Sequence, residues 1–205
     1  MPNSAPANPP ASALCLFGAG AHGRVVASQV RRFLQRKVIF ADNRAKVSGL
    51  EIAFQGIETI LGHEVAITIG DNAVRRDLHA QLQAPLSAAL VMEPCRVFSD
   101  QIGAGSQVLA GAIVNTGACI GRGTIINSGA IVEHDVQVGD FCHLAPGSVI
   151  GGGAHLSANV LLGTNATVLP GVSVAAGSLI GAGAVVTRDI TCPGTYVGVP
   201  ARQIG

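Results

Sequence analysis

Glu133-His134-Asp135 sets an imidazole between two carboxylates. A carboxylate beside a histidine can fix one tautomer and raise the basicity of the ring, which a general base working near neutral pH requires. A solvent-exposed histidine in a polar corner is the competing reading, and spacing alone leaves both open. His143 follows nine residues later, close enough in sequence to reach the same lateral cleft, whereas His155 reads as a surface residue. Cys142 beside His143 invites a nucleophile reading. Its place in the local pattern points it inward, however, and acyl transfer from a thioester to an amine needs no covalent intermediate.

A second constellation lies near the start. Gly18, Gly20 and Gly23 form G-x-G-x-x-G between an apolar run, Ala13–Phe17, and a helical stretch, and Asp42 ends the next apolar run. Glycines let a backbone approach a phosphate, and the helix N-terminus that follows favours negative charge. Only about eighty residues are available, roughly half of a two-lobed dinucleotide domain. A mononucleotide or nucleotide-sugar site therefore fits better than a dinucleotide; a tight strand–helix turn without ligand is the plainer alternative. Ten of the thirteen Lys and Arg residues precede Ile102, which also favours an anionic ligand in this part of the chain.

The elements that must position these residues obey two different periods. Residues 13–94 alternate strand and helix: a strand at 13–17, a helix at 24–36, strands at 38–41 and 65–70, then a helix capped by Asp71-Asn72 and running through Leu82. That order implies a small parallel sheet. A last strand is expected near 88–92. From Ile102 onward every sixth residue is Ile, Val or Leu, fifteen times in succession to Val186. Six matches neither the 3.6 nor the 3.5 period of helices, and the glycine content would destabilise one. A fixed short repeat implies stacked units that bury a face only against their neighbours. Three hexads close one triangular coil, so fifteen give five, with small residues at the corners.

The composition agrees. The chain has 12% charged and 3% aromatic residues, no Trp, one Tyr and 27 Gly, so its core must be built from Val, Ile, Leu and Ala. A net charge of +1 gives no electrostatic reason to expect nucleic acid or an anionic membrane as partner. No run of about 18 apolar residues is present. Residues 1–12 lack the basic region and apolar core of a secretory signal and read as a disordered tail. Five unpaired cysteines fit small buried hydrophobes of a reducing cytoplasm.

The run Asn127-Ser-Gly-Ala-Ile-Val-Glu-His-Asp-Val-Gln-Val-Gly-Asp-Phe-Cys-His-Leu-Ala-Pro resembles the signature of the sialic acid O-acetyltransferase and nucleotide-amino-sugar N-acetyltransferase group. Phe17-Gly-Ala-Gly-Ala-His-Gly-Arg-Val-Val26 and Val197-Gly-Val-Pro-Ala-Arg202 are similar to the same group. The resemblance implies a left-handed β-helix over 95–205 behind an α/β nucleotide-sugar domain over 13–94, the hand being an exception to the usual right-handed crossover. It implies a homotrimer with acetyl-CoA sites between subunits and no metal. Some hexapeptide-repeat trimers hold zinc through a histidine pair five residues apart, a spacing not found among His134, His143 and His155.

By the same resemblance His134 is the catalytic base and Asp135 its partner. His143, Gly152, Ala182 and Arg202 contact acetyl-CoA. Gly20, Ala21, His22, Asp42, Asn72, Arg75 and Asn127 contact the acceptor. Glu93-Pro94 departs from the His-Pro of many relatives. The expected activity is acetyl transfer to the amino group of a nucleotide-linked amino sugar for surface glycan synthesis in the cytoplasm. Transfer to a sugar hydroxyl, as in sialic acid O-acetylation, and a non-catalytic binding scaffold are the alternatives.

Overall fold

The computed structural model describes residues 13–204 apart from 45, 46, 48, 49, 61 and 83; the expected tail at 1–12 lies outside the described residues. The N-terminal unit is a four-stranded sheet of β1 (Leu14–Phe17), β2 (Val38–Asp42), β3 (Phe54–Gln55) and β4 (Glu64–Ile67), in the order β3-β2-β1-β4 and parallel throughout. β1 is buried on both faces, as a near-continuous apolar run in a parallel sheet should be. The first helix, α1 (Ala21–Gln29), starts three residues earlier than its apolar spacing suggests, directly after Gly20, and continues as a π-helical turn over Val30–Leu34. The second, α2 (Asn72–Gln81), begins where expected: the Asp71 carboxylate accepts the Val74 N–H at 2.9 Å.

The remainder is a parallel β-helix of about six coils with three faces. The domain face, which carries the N-terminal unit, stacks Gln107–Val108, Ile125–Ile126, His143–Leu144, Leu161–Leu162 and Leu179–Ile180. The aliphatic face stacks Ile113–Val114, Ile131–Val132, Val149–Ile150, Thr167–Val168 and Val185–Val186. The polar face stacks Cys119–Ile120, Gln137–Val138, His155–Leu156 and Ser173–Val174. The second residue of each strand points inward and is buried, which is the six-residue period made physical. Corners turn through left-handed positions held mostly by glycine, among them Gly105, Gly123 and Gly147, and in places by Asp135, Phe141, Asn159 and Asn165.

The helix begins before the period becomes visible. β5 (Leu90–Val91) pairs with Gln107–Val108, and β6 (Arg96–Val97) pairs with Ile113–Val114. These partners are seventeen residues apart, whereas Ile102 and Ile120 are eighteen apart. The first coil is thus one residue short, its inward positions are out of phase with Ile102, and a strict count of six cannot find them. The coils therefore start at Leu90, ahead of the expected boundary at 94/95. β5 is also the joint between the two units. Leu90 and Met92 bury in the core of the α/β sheet with Leu14, Leu16 and Phe40, while Val91 packs into the interior of the coils.

Arg75 closes the seam. It is 1% exposed. Its guanidinium donates to the carbonyls of Gly123 (2.7 Å), Phe141 and Cys142 (both 3.0 Å) in the coils, and to Ile69 O, Gly70 O and Asn72 Oδ1 in its own unit. Asn72 adds a bond from Nδ2 to Val160 O at 3.1 Å. Among the described residues no helix is long and apolar enough to cross a membrane.

Candidate active site

His134 and Asp135 sit at the corner between the aliphatic and polar faces. The left-handed backbone at Asp135 (φ 60°) turns its side chain back on its neighbour, so that His134 Nδ1–H donates to Asp135 Oδ2 at 2.9 Å. That bond, with the charges of Asp135 and Glu133, raises the pKa of the imidazole above its ordinary value despite full exposure. Glu133 has another partner: its Oε2 accepts from Asn115 Nδ2 at 2.9 Å. The sequence left open which carboxylate serves the histidine, and the geometry assigns Asp135.

With Nδ1 engaged, Nε2 is the nitrogen free to accept a proton. It lies over Gly152, one coil on; a Cβ built on Gly152 would stand 2.5 Å from it. Gly152 is therefore the floor beneath the reactive nitrogen.

His143 is nine residues on, half of an eighteen-residue coil, and that half-turn carries it to the opposite side of the prism. It points outward on the domain face, under the N-terminal unit, and does not share a cleft with His134 of the same chain. Its Nδ1–H donates to Gly70 O at 3.1 Å and its Nε2 accepts from Asn127 Nδ2 at 3.1 Å. Burial pushes its pKa down to about 4, so it is neutral at physiological pH. In this state both ring nitrogens are engaged and no N–H is left over for an oxyanion.

The glycine loop approaches from the other side. His22 Nε2–H donates to Gln107 Oε1 at 3.0 Å, Gln107 Nε2 donates to Ile67 O, and the rings of His22 and His143 are 6.2 Å apart. A cavity of about 360 Å³ opens beside them, lined by Gly20, Ala21, His22, Asp42, Arg44 and Gly70 among others. The three glycines differ in what they serve. Gly18 is left-handed (φ 110°), and a Cβ on Gly23 would collide with Gly18 O, so the fold itself demands both. Gly20 has a negative φ and no protein atom within 4 Å of a built Cβ. Its missing side chain keeps the cavity open at the uncapped start of α1, where backbone N–H groups face outward.

Asp42 lines the cavity, but its carboxylate is already committed. It accepts Ala19 N–H at 2.9 Å, Arg44 N–H at 3.0 Å, and Arg44 Nε and Nη2 at 2.9 and 3.1 Å. Arg44 is the chief reason that its pKa falls to about 2. Asp42 thus locks the loop and holds Arg44, a residue the motif did not single out, at the cavity wall. Nothing in the G-x-G-x-x-G pattern signals a cation two residues past the second strand. Asn72 and Arg75, expected at the acceptor, are buried in the seam instead, with their polar groups on protein atoms.

Asn127 lies on the corner between the domain and aliphatic faces. Its Oδ1 accepts Ser128 N–H at 2.8 Å while its amide nitrogen meets His143. Ala182 is exposed on that same corner three coils further on, and Arg202 is exposed in the closing hairpin formed by Thr195–Val197 and Arg202–Ile204. Cys142 is buried and its thiol is pushed up to about 12 by desolvation, which removes it as a nucleophile. Cys15 is likewise buried, but Cys192 is exposed, so the cysteines are not uniformly core. Among the described residues no three His, Cys, Asp or Glu side chains converge as a metal site would need.

This geometry recurs in solved structures. Residues 13–82 match the PglD N-terminal domain, and residues 120–152 match the bacterial transferase hexapeptide model. PerB from Caulobacter crescentus, solved with CoA and GDP-perosamine, is 31% identical over 94% of this chain and 97% of its own, with a TM-score of 0.87. The chain belongs to the hexapeptide-repeat sugar acetyltransferase family. The acetyltransferase domain of PglB from Neisseria gonorrhoeae is 30% identical over 94% of this chain and all of its own, with a TM-score of 0.84. WeeI from Acinetobacter baumannii shares the fold at 23% identity, covering 94% of this chain and 99% of its own, with a TM-score of 0.76. No curated protein sequence matches the chain. As a family member the protein is an acetyl-CoA-dependent acetyltransferase.

Proposed function

We propose that this chain acetylates the amino group of a nucleotide-linked amino sugar, working as a cyclic trimer whose active sites each draw on two subunits. The observation that carries the reading is the separation of its two halves. The cavity at Gly20, with His22, His143 and Asn127, lies on the domain-face side of the prism, and the His134–Asp135 base lies on the opposite corner.

A trimer reunites them. The outward residues of the aliphatic face, Ile113, Ile131, Val149, Thr167 and Val185, are all half-buried in the single chain and nearly all apolar; those of the polar face are Cys119, Gln137, His155 and Ser173. Turning the aliphatic face toward a threefold axis buries the apolar row. In a closed ring the two corners flanking that face then meet across each joint. The corner bearing His134 and Gly152 of one subunit faces the corner bearing Asn127 and Ala182 of the next, with His134 and Asn127 at the same coil level. Ile131→Asp should give a folded monomer without acetyl transfer, read by size measurement and initial rates; a fully active monomer would refute the composite site.

Acetyl-CoA supplies the acetyl group as a thioester. In this reading the uncapped start of α1 and Arg44 hold the acceptor's phosphates, and Asn127 lines the sugar pocket. His134 Nε2 accepts the proton that the amine loses as the N–C bond forms and the C–S bond breaks. Asp135 stabilises the resulting imidazolium. The Gly152 backbone N–H takes the thioester oxygen, and Ala182 and Arg202 lie toward the far end of the donor. PerB's GDP-perosamine places a 4-amino sugar on a guanine nucleotide among the candidates. Measuring thiol release from acetyl-CoA against GDP-, UDP- and dTDP-linked 4-amino sugars tests the reading. Acetylation of one of them is expected; transfer to sialic acid hydroxyls and to no amine would overturn it.

A further inference from the structure

Phe98 is 62% exposed in a chain with six Phe, one Tyr and no Trp. It follows β6 at the corner between the aliphatic and polar faces, two coils before His134, with its N–H bonded to Val114 O at 2.8 Å. Placing a large apolar ring in water at a corner forfeits about 2–3 kcal/mol of burial, and nothing in its own chain covers it.

A matching hollow lies on the other flank of the molecule. Ala21, Arg24, Val25, Ser28 and Gln29 of α1 line a groove of about 440 Å³, with Val25 45% exposed at its wall. Gln29 Oε1 accepts Ala110 N–H at 3.0 Å, which ties this groove to the corner between the domain and aliphatic faces near the start of the coils. We infer that Phe98 of one subunit seats in the α1 groove of the next, against Val25 and beneath the Arg24 guanidinium.

The inference rests on the trimer proposed above, and the geometry follows from it. If the His134 corner of one subunit meets the Asn127 corner of its neighbour, residues at the start of those same corners meet as well. Phe98 and the Ala110–Gln29 junction are those residues. Apolar contact with Val25 and a cation–π contact with Arg24 suit a ring in this groove. The contact also has a functional bearing, because α1 begins at the glycine loop. A seated Phe98 would brace the helix whose first N–H groups hold the acceptor's phosphates, and assembly would then stiffen the acceptor site.

The test is a cross-link in the full chain with Cys192→Ser, the exposed native thiol removed. Val25→Cys and Phe98→Cys are made singly and together, oxidised under mild conditions and separated under denaturing conditions. Covalently joined chains are expected with both cysteines present and with neither alone. Phe98→Ala, at a position that leaves the core of the chain untouched, should weaken the trimer by about tenfold or more in dissociation constant. An intact trimer with no link between positions 25 and 98 overturns this contact alone. An unmodified protein that runs as a monomer overturns both the contact and the trimer.

Discussion

At the scale of single residues, the chemistry turns on one bond and one gap. The bond is His134 Nδ1–H to Asp135, which raises the basicity of the ring. A base must be neutral to act, so the acid limb of the rate profile should lie above the ordinary histidine value. Asp135→Asn removes the cause of the raised pKa, and it should move the acid limb to lower pH while reducing the plateau rate. His134→Ala should cost about 10²–10⁴ in kcat with acetyl-CoA binding retained. An unmoved limb in Asp135→Asn would argue against Asp135 as the partner. The gap is the missing side chain of Gly20, and Gly152 offers the contrast. Gly20→Val meets no protein atom, so stability should hold while the acceptor's KM rises. In Gly152→Ala the new methyl meets the end of the His134 side chain, which can swing away. Thermal stability should therefore change little, while kcat falls by about 10² as the base is displaced by an ångström or so. A Gly152→Ala enzyme with the parent's kcat would mean that the imidazole position seen here is not the reactive one. The triplet around His134 was legible from residue types alone. Its true partner was not, because that depends on a left-handed turn at Asp135.

At the scale of elements, the coils were legible because each strand buries one residue in six and the stack repeats that demand at every level. The first coil was hidden by a single missing residue, since periodicity is a phase-sensitive signal and β5 and β6 are out of phase with Ile102. The strands of the α/β unit were found for the same kind of reason, as apolar runs bounded by glycine and aspartate. The role of Arg75 was illegible, because a G-x-N-x-x-R pattern does not say whether its cation faces a ligand or a partner element. The structure gives it carbonyls on both sides of the seam. Arg75→Met should lower stability by about 3–5 kcal/mol, because it leaves the carbonyls of Gly123, Phe141 and Cys142 without donors and removes the buried clamp. Chemical denaturation checks this, and Arg75→Lys, with one ammonium in place of a fork, should restore little of the loss. A Met variant as stable as the parent would show that β5 alone holds the units together.

At the scale of the whole molecule, the junction between sheet and helix is built on histidines that must stay neutral. Burial is the main cause that holds His143 at about 4 and lowers His22 as well, and the two rings face each other across the seam. An unfolded chain returns His143 to about 6.5, so between pH 6.5 and about 4 the unfolded state binds a proton that the folded state refuses. Stability is therefore present above pH 6.5 and is lost progressively as pH falls through that window. His143 alone should account for about 2 kcal/mol by pH 5, with His22 adding in the same direction. The urea midpoint should fall between pH 7 and pH 5. His143→Asn, which keeps a donor and an acceptor at the seam but cannot titrate, should flatten part of that dependence. Because the same rings stand beside the glycine-loop cavity, mild acid should loosen acceptor binding before it unfolds the coils, whose interior holds no titrating side chain but the high-pKa Cys142. Acceptor affinity measured from pH 7 to pH 5, beside circular dichroism of the coils over the same range, separates the two events. Coils that melt in step with the loss of acceptor binding would show one cooperative unit, and the seam would then not be the acid-sensitive part.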